Sequence, residues 1–423
     1  MRIGIIIGRI GDIDGVSLET EKWIHVLRRM GHDLYIIAGR YTAHLVDEEK
    51  ETHLPMLSFF SPECEWEQKR AFFYPDEEPV ELLRHLEHAS DVVAIQLFKW
   101  IMSNRIEVLL CENAAALPCH LSMGMGIKKL VENTGIQTVC HDHDFWWERG
   151  DRYKTPHETV EEIVKSTFPL QIPHVKHAVI NTDARETLRS RYNIDSVIVP
   201  NVMDFSDPYG VKDDYNSDLL SAIGLEEDDI PLFQVTRIDK RKGIETSIEL
   251  IDRLEDKKVK LVITGSRADD ERFGYFRFLL ELIQEKRLDD RVFFGYRRIL
   301  PHRGVNLQGE KIYSIPDSYA NARACTYFST YEGFGNAFVE CVLSKTPIFV
   351  NNYKPVFWSE IGSKGFKTVM IEENTLTDSA VAEIDRIIHD ENLCAEIAEF
   401  NYELAKKYFT YDVLEEKLRD LFH

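Results

Sequence analysis

No apolar run in this 423-residue sequence approaches the roughly 18 residues that a membrane-crossing helix needs. The opening MRIGIIIGRIGD is too short, and too soon broken by charge, to read as a secretory leader. The seven cysteines (Cys64, Cys111, Cys119, Cys140, Cys325, Cys341 and Cys394) include no CxxC pair. Their odd number and their places inside apolar runs predict reduced, buried thiols in a cytoplasmic protein. Positive charge is scarce as well: 51 Lys and Arg stand against 72 Asp and Glu, a net charge of −21. Such a surface repels nucleic acid and anionic lipid, so neither is an expected partner, although a local basic pocket remains compatible with it.

What is present is a globular core, since 44% hydrophobic and 11% aromatic residues are too many for a disordered chain. The length exceeds one ordinary core, and two domains are expected. Arg2 to Gly8 is a continuous apolar run, as in a strand buried on both faces. The turn GRIGDIDG follows it. An amphipathic helix from Val16 to Met30, with Leu18, Trp23, Val26 and Leu27 apolar, and a strand from Asp33 to Ala38 complete the start of a doubly wound sheet. The turn is not a GxGxxG fingerprint. Gly11 and Gly15 stand four apart, and Asp14 occupies a place where a pyrophosphate loop needs a small residue, which weighs against a dinucleotide oxidoreductase. Ser17 reads either as a contact for an acceptor molecule or as the helix N-cap. Residues 41–90 are acidic and aromatic-rich without a motif, and predict a surface helix pair and a loop. Asp91 to Phe98 reads as a strand. Glu112 and Asn113, with the apolar stretch to Pro118, read as a helix.

Ile136 to Cys140 is a further short strand that delivers HDHDFWWERGDRY. Alternating His and Asp suggest metal ligands, but the spacing matches no usual metallohydrolase pattern and no His-x-x-x-His run follows, so no metal is expected. A polar cluster lining a cleft is the preferred reading, because ligands gather at the carboxyl ends of parallel strands. Ala178 to Asn181 reads as the last strand of the first domain, and Val197 to about 230 as a hinge. Pro231 to Thr236 opens the second domain and leads into TRIDKRKGIE. There Arg237 and Lys242 precede a glycine and a helix start; two cations at such a place suit a diphosphate and the charge that develops on a leaving group. Strands at Lys260–Thr264 and Arg291–Gly295 follow, then a loop over 302–313 and a short helix from Ile315 to Ala322.

The stretch Tyr327 to Val350, YFSTYEGFGNAFVECVLSKTPIFV, reads as strand, turn, helix and strand. Gly333 and Gly335 let the backbone of the turn approach a ligand closely. Glu332 lies in the turn and Glu340 in the helix, and carboxylates are good acceptors for vicinal hydroxyls.

EGFGNAFVE resembles the Glu-seven-Glu signature of the retaining family 4 glycosyltransferases, and the Arg237 and Lys242 pair is similar to that family's phosphate-binding pair. The resemblance implies an α/β fold of two doubly wound Rossmann-like domains facing across a cleft, the GT-B architecture. An acceptor-side domain would cover 1–200, a nucleotide-sugar domain 201–405, and a last helix over 406–423 would return to the first domain. It implies that Glu332 contacts the donor sugar's hydroxyls beside Gly333, Phe334, Gly335 and Asn336, that Glu340 holds the ribose, and that Tyr296 or Arg297 meets the base. It places Gly15 of DGVSLETEKW between donor and acceptor. His141 matches the family's histidine near the sugar's C6 and anomeric carbon, with His143 as the alternative. Asp144, Trp147, Glu148 and Arg149 would stand at the acceptor entrance, with aromatic rings for sugar faces and Arg149 for a phosphate or carboxylate. Arg149 reads equally as a partner of Asp151 or Glu148. The implied reaction is retaining hexosyl transfer from a nucleotide diphosphate sugar, of the UDP-glucose or GDP-mannose type, to a hydroxyl of a small soluble acceptor. Arg237 and Lys242 would remove the need for a metal, and no further cofactor is expected. A glycoside phosphorylase of the same architecture and a non-catalytic nucleotide-sugar-binding protein are the alternatives.

Overall fold

The apolar run after Met1 becomes β1 (Arg2–Ile7), whose residues from Ile3 onward are all buried, as a strand covered on both faces requires. The computed structural model describes residues 1–11, 14–265 and 274–422; of the turn GRIGDIDG, Asp12 and Ile13 lie outside the described residues. The chain divides into two units, Met1–Asn201 with Tyr411–His423, and Val202–Thr410.

In the first unit, β1 is joined by β2 (Asp33–Ala38), β3 (Glu51–His53), β4 (Val108–Glu112), β5 (Gln137–Asp142), β6 (Val175–Val179) and β7 (Ser196–Ile198). All pair in parallel, in the order β3-β2-β1-β4-β5-β6-β7. The connecting helices are α1 (Gly15–Arg29), α2 (Pro62–Gln68), α3 (Val80–Asn104), α4 (Leu121–Thr134), α5 (Glu158–Thr167) and α6 (Thr182–Tyr192). The strand order reverses between β1 and β4, the switch point where the loops of such a sheet part and leave a crevice.

The second unit repeats the plan. Its strands are β8 (Ile230–Gln234), β9 (Val259–Ile263), β10 (Val292–Phe294), β11 (Gly304–Val305), β12 (Lys311–Ile312), β13 (Ala324–Tyr327), β14 (Ile348–Asn351) and β15 (Met370–Ile371). Six of them form a parallel sheet in the order β10-β9-β8-β13-β14-β15, with its switch point between β8 and β13. Its helices are α7 (Leu219–Ala222), α8 (Ile244–Arg253), α9 (Gly274–Glu285), α10 (Ile315–Ala320), α11 (Asn336–Leu343), α12 (Val356–Glu360), α13 (Asp378–His389) and α14 (Glu391–Ala405). The core gathers Leu232, Ile248, Leu261, Ile263, Phe328 and Phe349. The chain then returns: α15 (Tyr411–Phe422) belongs to the first unit, beginning at Tyr411 rather than 406. There Arg29 of α1 donates to Tyr411 O at 3.1 Å and pairs with Asp412 at 2.9 Å and Glu415 at 2.6 Å.

Several expectations are corrected. Asp91–Phe98 is not a strand but the middle of α3, where Val93 and Leu97 are buried while Ile95 and Phe98 are exposed. Glu112 ends a strand rather than starting a helix, and the helix after it begins only at Leu121. Ala178–Asn181 is not the last strand of the first sheet, since β7 follows it. Within 302–313 lies the small antiparallel hairpin of β11 and β12.

Candidate active site

Adjacent strands β8 and β13 pair as Leu232 with Ala324 and Phe233 with Cys325, so the segments leaving their carboxyl ends run side by side. Arg241 O accepts from Thr330 N at 2.7 Å and from Thr330 Oγ1 at 3.2 Å. Asp239 caps the turn before α8, its Oδ1 accepting from Arg241 N at 3.0 Å. Two cations then converge on one carboxylate. Lys242 Nζ is ion-paired with Glu332 Oε1, and Arg241 Nη1 donates to Glu332 Oε2 at 3.0 Å and to Tyr331 O at 3.0 Å. Lys242 and Glu332 are 8% and 9% exposed. Burial would raise the Glu332 carboxyl, but the charges of Lys242 and Arg241 hold it below its usual range. Arg237 is exposed and adds to the positive field at Lys242. Gly265, just beyond β9, has no room for a side chain, because an added Cβ would run into Thr236 O and Arg237 Cα.

The turn bearing Glu332 is held by Tyr353, whose hydroxyl donates to Phe334 O at 2.8 Å. Gly335 takes a φ of 138° as the N-cap of α11, a conformation that favours glycine, with Gly333 and Phe334 before it and Asn336 after it. Glu340, half-buried on α11, accepts from Tyr319 Oη at 3.0 Å. Tyr296 and Arg297 follow β10, two strands from β8, with the guanidinium 5.8 Å from the Tyr296 ring centroid. The second unit thus brings Lys242 and Glu332 together near Arg237 and adds Arg241, which the sequence reading missed although it stands inside the basic run KRK.

In the first unit the polar cluster at the end of β5 includes a partner that sequence reading also missed. His141 Nδ1 lies 2.9 Å from Glu112 Oε2, both side chains buried at 1% and 0% exposure. The Trp23 ring stacks on His141 at 4.0 Å and 19°, and His143 lies against it at 4.2 Å and 47°. Burial would raise Glu112, but the facing imidazoles of His141 and His143 bring it down to about 2. Burial also holds the His141 imidazole below its usual value, against the pull of Glu112. His143 N donates to Asn113 Oδ1 at 3.1 Å, and Asn113 Nδ2 donates to Asp144 Oδ1 at 3.1 Å.

Three expectations at this end are corrected. The N-cap of α1 is Asp14, which accepts from Val16 N at 3.1 Å and Ser17 N at 3.3 Å. Ser17 is fully buried, and its hydroxyl donates to Asp14 Oδ2 at 2.8 Å, so it is neither cap nor exposed acceptor contact. Trp147 stacks on Phe145 at 4.6 Å and packs near Tyr192, with Arg191 5.0 Å above its ring, so its faces serve the core. Arg149 pairs with Asp144 rather than with Asp151 or Glu148. Glu148 instead accepts from Phe145 N at 2.5 Å, and burial pushes its carboxyl up to about 7. Gly15 opens α1 with clear space beside it.

Among the described residues two clusters have the residue types and spacing to hold a cation: Glu112, His141 and His143, and Cys140, Asp142 and His177. In the second, His177 already uses Nδ1 on Asp142 at 2.8 Å and Nε2 on Leu170 O at 2.9 Å. In the first, the closest ligand atoms are joined to each other as the His141–Glu112 hydrogen bond. No described helix is long and apolar enough to cross a membrane.

Residues 218–404 match the family model "Glycosyl transferases group 1". The mannosylglucosylglycerate synthase of Thermotoga maritima is 31% identical over 99% of both chains, and that of Petrotoga mobilis is 29% identical over 88% of this chain and 86% of its own. Among solved structures, sucrose-phosphate synthase from Thermosynechococcus elongatus superposes with a TM-score of 0.67 at 15% identity, covering 100% of this chain and 98% of the other. HepE of Anabaena, in complex with UDP and glucose, superposes with a TM-score of 0.64 at 14% identity, covering 99% and 98%. The chain therefore belongs to the family 4 type of glycosyltransferases, with two Rossmann-like parallel sheets and the GT-B fold.

Proposed function

We propose that the protein transfers a mannosyl group, with retention of configuration, from GDP-mannose to glucosylglycerate. The observation that carries the chemistry is the convergence of Lys242 and Arg241 on Glu332 at the β8–β13 switch point. Without donor, the carboxylate neutralises the cations. When a diphosphate arrives, Arg237 and Lys242 take up its charge, and Glu332 is left to accept hydrogen bonds from the sugar's hydroxyls. The amides of the Gly333–Asn336 turn line the same place, Glu340 receives the ribose hydroxyls, and Tyr296 or Arg297 meets the base. His141 contacts the sugar, and the glycerate carboxylate is a group of the kind Arg149 would receive. The choice of mannose and of this acceptor is supported by the products named for the two curated relatives.

In the reaction the bond from the anomeric carbon to the diphosphate oxygen breaks, and a bond to the acceptor oxygen forms on the same face. The acceptor's proton passes to the departing phosphate. Arg237 and Lys242 stabilise the charge released, so the reaction proceeds without a divalent metal. The setting is cytoplasmic, where nucleotide sugars and reduced thiols coexist.

Purified protein incubated with GDP-mannose, glucosylglycerate and EDTA is expected to yield mannosylglucosylglycerate with the donor's anomeric configuration, read by proton NMR. UDP-glucose in place of GDP-mannose is expected to yield no glycoside. Inversion, loss of turnover with EDTA, or no product from this pair would overturn the corresponding part of the proposal.

A further inference from the structure

β4 and β5 are neighbouring parallel strands, and their last paired residues are Glu112 and His141. Residues paired in register point to the same face, roughly 4.8 Å apart, so the backbone alone brings these two side chains together. The pairing continues past the strand ends, with Asn113 N donating to His141 O at 2.9 Å. A fully buried carboxylate is tolerated only when it is paired, and Glu112 Oε2 meets His141 Nδ1 at 2.9 Å. The ring is held from two further directions by Trp23 and His143. The remaining ring nitrogen, His141 Nε2, is buried and has no hydrogen-bond partner among the described residues.

We propose that Glu112 is a positioning residue that fixes His141 as the Nδ1–H tautomer, leaving Nε2 bare to accept a hydrogen bond from a hydroxyl of the transferred sugar. This rests on the role given to His141 above. The opposite tautomer would turn a nitrogen lone pair toward the carboxylate at 2.9 Å, so the paired form dominates. Among the described residues, the other titratable groups that face the ring are His143, beyond β5, and Glu19 of α1, the latter already paired with Lys22 at 2.5 Å. Ionised Glu112 beside a neutral His141 is the state that the tautomer requires. The bond from β4 therefore determines what the ring presents, whereas Trp23 and His143 determine only where it lies.

The test uses the 15N-labelled full chain and long-range proton–nitrogen spectra, with His141 assigned by comparison with His141→Ala. The expected spectrum has a protonated Nδ1 and a bare Nε2. Glu112→Gln, which can turn an amide N–H toward the ring, is expected to shift His141 toward Nε2–H. It should lower kcat about 10–100-fold with the donor KM within about threefold of wild type, and Glu112→Asp should restore the Nδ1–H form. A wild-type ring protonated on Nε2 overturns the proposal even where Glu112→Gln fails to fold. Unchanged kcat in Glu112→Gln, or a fall in kcat without a tautomer change, also overturns it while leaving the role of His141 intact. Unchanged turnover in His141→Ala would overturn that role and this proposal together.

Discussion

Glu332 is ionised with 9% of its surface exposed because Lys242 and Arg241 stand on either side of its two oxygens. Removing one member of a buried charge pair leaves the other uncompensated, at a cost of about 3–5 kcal/mol, whereas removing both is far less damaging. Glu332→Gln is expected to lower stability by about this amount, and Lys242→Met by less, because Arg241 still pairs with Glu332. The double variant should lose clearly less than the sum, as read by urea unfolding in a double-mutant cycle. Strict additivity would mean that the pair is not coupled in solution. Lys242 and Glu332 could be singled out in the sequence because each stands beside a glycine in a turn that leads into a helix. Glu112 and Arg241 were not, since what distinguishes them is a partner: for Glu112 it lies 29 residues away across a sheet, and for Arg241 it lies 91 residues away in another loop.

Among the elements, α4 depends on a carboxylate that belongs to α2. Glu67 is fully buried; its Oε2 accepts from Ser122 N in the first turn of α4 at 3.1 Å, and its Oε1 meets His85 Nε2 at 3.1 Å. His120 Nδ1 lies 3.3 Å from Oε2. Burial would raise Glu67, but the hydrogen bonds from His120 and His85 bring it from 4.5 down to about 2. A carboxyl depressed in the folded state stabilises fully above its unfolded value and loses that contribution as pH falls toward the folded value. Glu67 should therefore contribute on the order of 3 kcal/mol at neutral pH, lost between about pH 5 and pH 2. Glu67→Gln is expected to be less stable at pH 7 and to show a shallower acid limb in urea unfolding followed across pH. An acid limb as steep as wild type would reject the assignment. This segment was opaque to sequence reading for a physical reason. The run DVVAIQLF is β-branched and apolar enough for a buried strand, but α3 buries one side against α4 and leaves Ile95, Phe98 and Met102 exposed on the other, which blurs the helical period. By contrast β1 and β8, short uninterrupted apolar runs beside the switch points, read as strands, whereas β4, equally buried, escapes that reading and Glu112 at its end reads as a helix start.

At the scale of the whole molecule, the first unit is discontinuous: it is left at Asn201 and resumed at Tyr411. Its last segment buries Leu414, Leu418, Leu421 and Phe422. At about 1.5–3 kcal/mol for each buried apolar side chain, this helix contributes an amount comparable with the roughly 5–15 kcal/mol by which a domain is stable at all. Ending the chain after Thr410 is expected to leave the first unit unfolded while the second retains a cooperative melt, as calorimetry or limited proteolysis would read. Two intact transitions in the shortened protein would show that α15 is dispensable. During synthesis, residues 1–201 leave the ribosome long before the segment that completes their packing. The α1 surface around Arg29 stays uncovered while the whole of 202–410 is made, a window in which it is open to off-pathway contacts.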